Sequence, residues 1–237
     1  QVDLCTKFPS GQITSNVTLG DPGASDPDFQ GLEYLASCSL TITGPPTPVL
    51  TLNPGVRLLF ALNQRLTIGQ TGNPGALHAV GTIGNEIVFS SAQGTPAPGN
   101  WHFIHFAVID SAQTILDHVI VEYGGGQGEG SLIVDNGSPT IQNSIVRFTS
   151  GGQSILLRSA ASPVITGNTI EAASRGIRCE AGSPLITGNN FSQYVSYGLE
   201  LVTNCPANVS GNTFAGNGVY SISTSPNLVS GIGNNTF

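Results

Sequence analysis

The chain is poor in charge and poorer still in cations. Only 9% of its 237 residues are Asp, Glu, Lys or Arg, and 7 Lys and Arg stand against 14 Asp and Glu, a net charge of −7. A nucleic-acid partner needs a basic stripe to neutralise phosphates, and nothing of that kind is present, so this class is set aside. No apolar run approaches 18 residues, so no segment reads as a membrane-spanning helix. Long helix-forming runs are missing too, because 31 Gly and 15 Pro interrupt the chain. The four cysteines, Cys5, Cys38, Cys179 and Cys205, form no C-x-x-C pair and suit an oxidising compartment better than a zinc site. Methionine is absent and the chain begins at Gln1, so it is expected to be a processed, secreted (extracellular) protein whose signal peptide has been removed.

What is present is a repeat. A short polar residue, a spacer and a large apolar residue return as His118/Ile120, Asn143/Ile145, Asn168/Ile170, Asn189/Phe191, Asn212/Phe214 and Asn235/Phe237, at spacings of 25, 25, 21, 23 and 23. The context recurs as SPTIQNSI, SPVITGNTI, SPLITGNNF and CPANVSGNTF, with short apolar triplets such as Leu132-Ile133-Val134 and Ile155-Leu156-Leu157 between. A period near 23 without helix formers, with Gly, Asn, Ser and Pro between β-branched triplets, matches one turn of a β-solenoid. In a solenoid, equivalent positions stack about 4.8 Å apart, so His118, Asn143, Asn168, Asn189, Asn212 and Asn235 are expected to form an inward hydrogen-bonded ladder beside an Ile/Phe core column.

These phrases, with LNPGVRLLF (52–60), GTIGNEIVFSS (81–91), PGNWHFIHF (98–106) and VIVEYGG (119–125), resemble secreted right-handed parallel β-helix proteins with pectin-lyase-like repeats. The resemblance covers roughly residues 47–237 and implies an all-β fold, a right-handed parallel β-helix. Residues 1–46 lack the repeat and are expected to be a non-repeating N-terminal cap, stapled by Cys5–Cys38 as the preferred pairing. For Cys179 and Cys205 two outcomes stay open, a bridge or two unpaired core thiols, since Cys205 lies four residues past the position above Cys179. Asp21, Asp26 and Asp28 in the loop DPGASDPDFQG invite a calcium reading, beside the plainer one of a solvated turn; no other cofactor is implied.

The resemblance identifies a fold better than an activity. It implies, for lyases, aspartates gathered around calcium with an Arg or Lys base, and for hydrolases an aspartate cluster. The carboxylates here are scattered over different columns, and two pairs of charges, Glu122 with Arg147 and Arg178 with Glu200, fall in register on adjacent turns. The expected function is therefore non-enzymatic, structural or adhesive, through homo-oligomer assembly or binding at the cell surface or to a polysaccharide. The alternative is a carbohydrate-active enzyme, a polysaccharide lyase or glycoside hydrolase, with its site near His105, Asp117 and Glu122; a third is a module of a larger surface protein. Trp101, Phe103 and His105 form a candidate sugar-stacking surface. With Asn143 and Ile145 inward, Val119, Val121, Ser144 and Val146 would point outward, as would Ile133 and Leu156. Together with Phe237 at an uncapped last coil, these apolar positions are the expected homo-oligomer interface, closing into a ring or propagating as a filament.

Overall fold

The computed structural model describes residues 1–171, 174–216 and 218–237. Each chain turn lays down three short strands, and equivalent strands of successive turns pair in parallel to give three sheets of nine strands each. The result is a right-handed β-solenoid of about eight turns, and among the described residues its one α-helix is the four-residue Leu4–Lys7 at the start. We name the sheets in chain order. The first runs from Val2–Asp3 to Thr213–Phe214, the second from Gln12–Ile13 to Tyr220–Thr224, the third from Val17–Leu19 to Ile232–Gly233.

Strict alternation makes the interior a set of columns. On the first sheet Val121, Val146, Ile170, Phe191 and Phe214 stack in register, and the Phe191 and Phe214 rings lie 4.7 Å apart at 7°. On the second, Ile104, Leu132, Ile155, Ile177, Leu199 and Ile222 stack in the same way. Where the Phe rings lie, the facing second-sheet position is glycine, since a Cβ on Gly198 would come within 2.6 Å of Phe214 Cδ1. Like-on-like stacking buries each apolar side chain against its own kind, worth about 1.5–3 kcal/mol per large residue.

Residues 1–46 do not stand apart as a cap that lacks strands. Their strands supply the first rungs of all three sheets, with Val2 opposite Tyr34, Ile13 opposite Ile42 and Leu19 opposite Leu52. The repeat is hidden there because loops of unequal length separate the strands. Ile13 and Ile42 are 29 residues apart and Leu19 and Leu52 are 33 apart, against the 21–25 of the repeats between His118 and Asn235. Cys5–Cys38 is formed, with Cα atoms 5.9 Å apart. Cys179–Cys205 is formed too, at 6.0 Å. The four-residue offset is absorbed where the chain leaves the strand Tyr197–Asn204 and turns, with Cys205 N–H bonded to Val202 C=O, so that the Cys205 sulfur reaches back to Cys179.

The ladder exists, but its register differs from the expectation at two positions. Asn168, Asn189 and Asn212 are buried. Each Oδ1 accepts from the backbone N–H one turn before it, and each Nδ2 donates to a carbonyl of the third sheet, as in Asn189 Nδ2 to Ile165 O at 2.9 Å. Asn235 continues the column, accepting from Asn212 N and Nδ2 at 3.0 Å. The turn before Asn168 fills the place with Ser144, whose N–H donates to Asn168 Oδ1 and whose Oγ accepts from Val119 N–H. Asn143 and His118 sit one residue earlier, at φ 49° and 50°, in the left-handed column that later turns fill with Gly167, Gly188 and Gly211. An ungapped alignment of SPTIQNSIV with SPVITGNTI shows the same offset.

That one-residue slip reverses the first-sheet faces, because side chains alternate with a period of two. Val119, Val121 and Val146 are core residues no more than 1% exposed, and Ile120 and Ile145 face outward. The three valines therefore cannot form an interface between copies. Ile133 and Leu156 do lie on the outer side of the second sheet, but they are buried in a separate cluster with Phe103 and are not free for a partner. Phe237 is 75% exposed, stacked 5.6 Å from Phe214.

Candidate functional site

The outer face of the second sheet gathers side chains from six consecutive strands, Ile104–Phe106, Leu132–Gly137, Gln153–Ala161, Arg175–Ala181, Tyr197–Asn204 and Tyr220–Thr224. Five steps at the ordinary interstrand spacing make it about 24 Å long. At its upstream end the apolar trio Phe103, Ile133 and Leu156 forms a floor. Arg65 lies 5.9 Å from the Phe103 ring centroid, and the His105 ring meets the Phe103 ring edge-on.

Beside that floor, His105 Nε2 is 2.7 Å from Asp135 Oδ2, Arg158 Nε bonds the other oxygen, and Arg158 Nη1 lies 3.6 Å from Glu129. Burial pushes the Asp135 carboxyl up, but the Arg158 and His105 hydrogen bonds outweigh it and hold its pKa below the usual carboxylate value. Downstream, Arg178 bonds Glu180 at 2.8 Å and Glu200 at 3.0 Å. Arg175 Nε lies 3.0 Å from the same Glu200 oxygen without hydrogen-bond geometry, and its guanidinium sits over the Tyr197 ring at 5.7 Å. Tyr197 and Tyr220 stack at 6.0 Å and 8°, and Tyr220, Val195 and Val219 are strongly exposed at this corner.

Of the proposed sugar contacts, the structure brings Phe103 and His105 to this face and removes Trp101. The Trp101 ring is fully buried, stacked at 4.4 Å on Phe60, with Nε1 donating to Glu122 O. The chain bends into the second sheet between Trp101 and Ile104, so strand alternation does not extend back to the indole. His105, Asp117 and Glu122 fall on the second, third and first sheets, so they form no common site. Asp117 instead binds its neighbours, His118 Nδ1 at 2.7 Å, Gln142 at 2.8 Å and Asn143 at 2.9 Å. Glu122 is held by Arg147 at 2.8 Å and by Ser90 at 2.9 Å.

The three loop aspartates do not gather around an ion position either. Lys7 places its ammonium 3.0 Å from Asp26 and 2.5 Å from Asp28, and Asp21 receives the Gly23 N–H. Among the described residues no group of three or more His, Cys, Asp or Glu side chains is arranged to hold a metal ion. Residues that sequence reasoning missed, Arg158, Arg175, Tyr197 and Tyr220, gave a signal only in their spacing. Arg175, Tyr197 and Tyr220 share one column at 22 and 23 residues.

A model of the right handed beta helix region family matches residues 105–237, more than half of the chain. The chain belongs to that family. Comparison with curated proteins and with solved structures gave no match. The family membership accounts for the stacked turns and names no ligand or reaction. No helix of the described residues is long and apolar enough to cross a membrane. The two disulfides are compatible with an extracellular location.

Proposed function

We propose that this β-helix is a secreted, non-enzymatic adhesive protein that binds a polysaccharide, free or at a cell surface, along the outer face of its second sheet. The observation that carries the reading is the state of the carboxylates there. Asp135, Glu129, Glu180 and Glu200 each lie against an arginine, and at the downstream end stand Tyr197 and the exposed Tyr220. Glycoside hydrolysis needs one carboxyl with a raised pKa to protonate the leaving oxygen and a second to act as nucleophile or base. Asp135, whose pKa is depressed, is unsuited to the first role. Fixed ion pairs flanked by flat rings suit binding instead, because they offer donors, acceptors and stacking surfaces without reorganisation.

Homo-oligomer assembly, the other half of the structural reading, has lost Val119, Val121 and Val146 to the core and Ile133 and Leu156 to a buried cluster, and keeps only the exposed Phe237 of the residues that argued for it. The test is affinity electrophoresis of the whole chain through gels containing individual polysaccharides, run beside a reducing-end assay with and without calcium. Retention that disappears in Tyr197→Ala/Tyr220→Ala, with no release of reducing ends, is expected. Sugar release abolished by Asp135→Asn would overturn the reading in favour of the enzyme.

A further inference from the structure

The charges are unevenly distributed over the surface. The second-sheet face carries Arg65, Arg158, Arg175 and Arg178 and also Glu129, Asp135, Glu180 and Glu200, four of each sign. It is therefore neutral, and the whole net charge of −7 belongs to the rest of the molecule. We infer that the ligand of this face is an uncharged, hydroxyl-rich glycan and not a polyanionic one. The inference rests on the binding role proposed above and adds the chemical class of the ligand.

Three features of the face lead there. A polyanion is held by clustered uncompensated cations, but Arg158, Arg175 and Arg178 each have a carboxylate within 3.0 Å, and only Arg65, over the Phe103 ring at the upstream end, has none among the described residues. An acidic sugar would meet those carboxylates, and it would approach through the field of a negatively charged body, which salt screens over about 8 Å at physiological ionic strength. A polyol asks for something different, alternating donors and acceptors at close spacing. A guanidinium has five N–H donors, of which a carboxylate engages one or two, and each paired carboxylate keeps lone pairs free for hydroxyl groups. The chain of Glu180, Arg178, Glu200 and Arg175 presents both kinds across adjacent strands. It leads to the column of Arg175, Tyr197 and Tyr220, whose last ring, the exposed Tyr220, can take the apolar face of a pyranose.

The face repeats along the solenoid axis at about 4.8 Å per strand. That step is comparable with the advance per residue of an extended glycan, so one chain lying along the axis would present its hydroxyls in step with successive strands. The upstream half fits the same class, since His105, Asp135 and Arg158 present donors and acceptors above the packed Phe103, Ile133 and Leu156.

The experiment uses the whole chain in gels containing neutral glycans (β-glucan, xylan, mannan, galactan) or polyanions (polygalacturonate, alginate), at 50 and 500 mM NaCl. The variant is Glu129→Gln/Glu180→Gln, two half-exposed carboxylates whose loss leaves the face at +2 and costs the fold little. The wild type should be retained by at least one neutral glycan, with retention changing less than about twofold between the salts, and by neither polyanion. The variant should gain polyanion retention that falls on the order of tenfold at the higher salt. Wild-type retention by a polyanion, salt-sensitive and lost in Tyr197→Ala/Tyr220→Ala, would overturn the neutral class while leaving glycan binding in place. Neutral retention that survives the tyrosine substitutions would move the ligand off this face and overturn the inference. No retention in any gel would overturn the proposed binding function itself.

Discussion

Two asparagines one residue apart in the repeat face opposite fates. Asn189 Oδ1 accepts from both Asn168 N–H and Asn168 Nδ2, and Asn189 Nδ2 donates to Ile165 O, all buried. Replacing it with leucine leaves several buried polar groups unpaired at about 1–3 kcal/mol each, so Asn189→Leu should destabilise the chain by several kcal/mol in a denaturant titration. Asn143 has no such role; it is exposed, bonded to Asp117, and sits at φ 49°. Asn143→Gly should stay within about 0.5 kcal/mol of wild type, while Asn143→Val should lose about 1–2 kcal/mol because a β-branched residue resists the left-handed region. Equal losses at the two asparagines would place both in the ladder and contradict the register described above.

Strands communicate through pairs that cross from one turn to the next. Asp135, bonded by Arg158 and His105, has a folded-state pKa below its unfolded one. A depressed carboxyl stabilises the fold fully above the unfolded value, about 3.9, and the contribution is lost as pH falls through the lower folded value. Thermal unfolding followed from pH 6 down to pH 2 should therefore show the wild type losing stability through that window and Asp135→Asn giving a flatter profile. Parallel profiles would mean the pair contributes nothing measurable. At the N-terminal rungs, the Cys5–Cys38 bond ties the short helix to the turn before the strand Leu40–Ile42. Cys5→Ser should make residues 1–46 sensitive to protease before the later turns open, since removing the crosslink frees local chain entropy. Unchanged cleavage would show that packing of Leu4 and Tyr34 alone holds these rungs.

Taken as a whole, the molecule is a stack in which each turn touches only its neighbours, so its core is a line of columns and its outer faces are long and flat. A charge introduced into that line acts on folding and not on assembly. Val146→Lys should abolish cooperative folding, because Val146 is wholly buried between Val121 and Ile170. A soluble, folded Val146→Lys protein with altered particle size in light scattering would restore this column to the surface and revive the interface reading.

The solenoid, its period, the two cross-turn charge pairs and the asparagine ladder from Asn168 onward were legible in the sequence, because a stacked repeat writes each column into the chain at a fixed interval. Three things were decided only by the tertiary structure. One is which of two adjacent residues points inward: Asn143 and Ser144 are both polar, Ile145 and Val146 both apolar, and although an ungapped alignment offers the offset, matching the asparagines offers the opposite one, a tie that only the pairing of the strands breaks when side chains alternate with a period of two. Another is the corner geometry, which interrupts alternation and sends Trp101 into the core and Cys205 back to Cys179. The third is the outer face of the second sheet, whose charges come from positions as distant in sequence as Arg65 and Glu200. Each such residue is unremarkable in its own turn, and a common surface exists only once the turns are stacked.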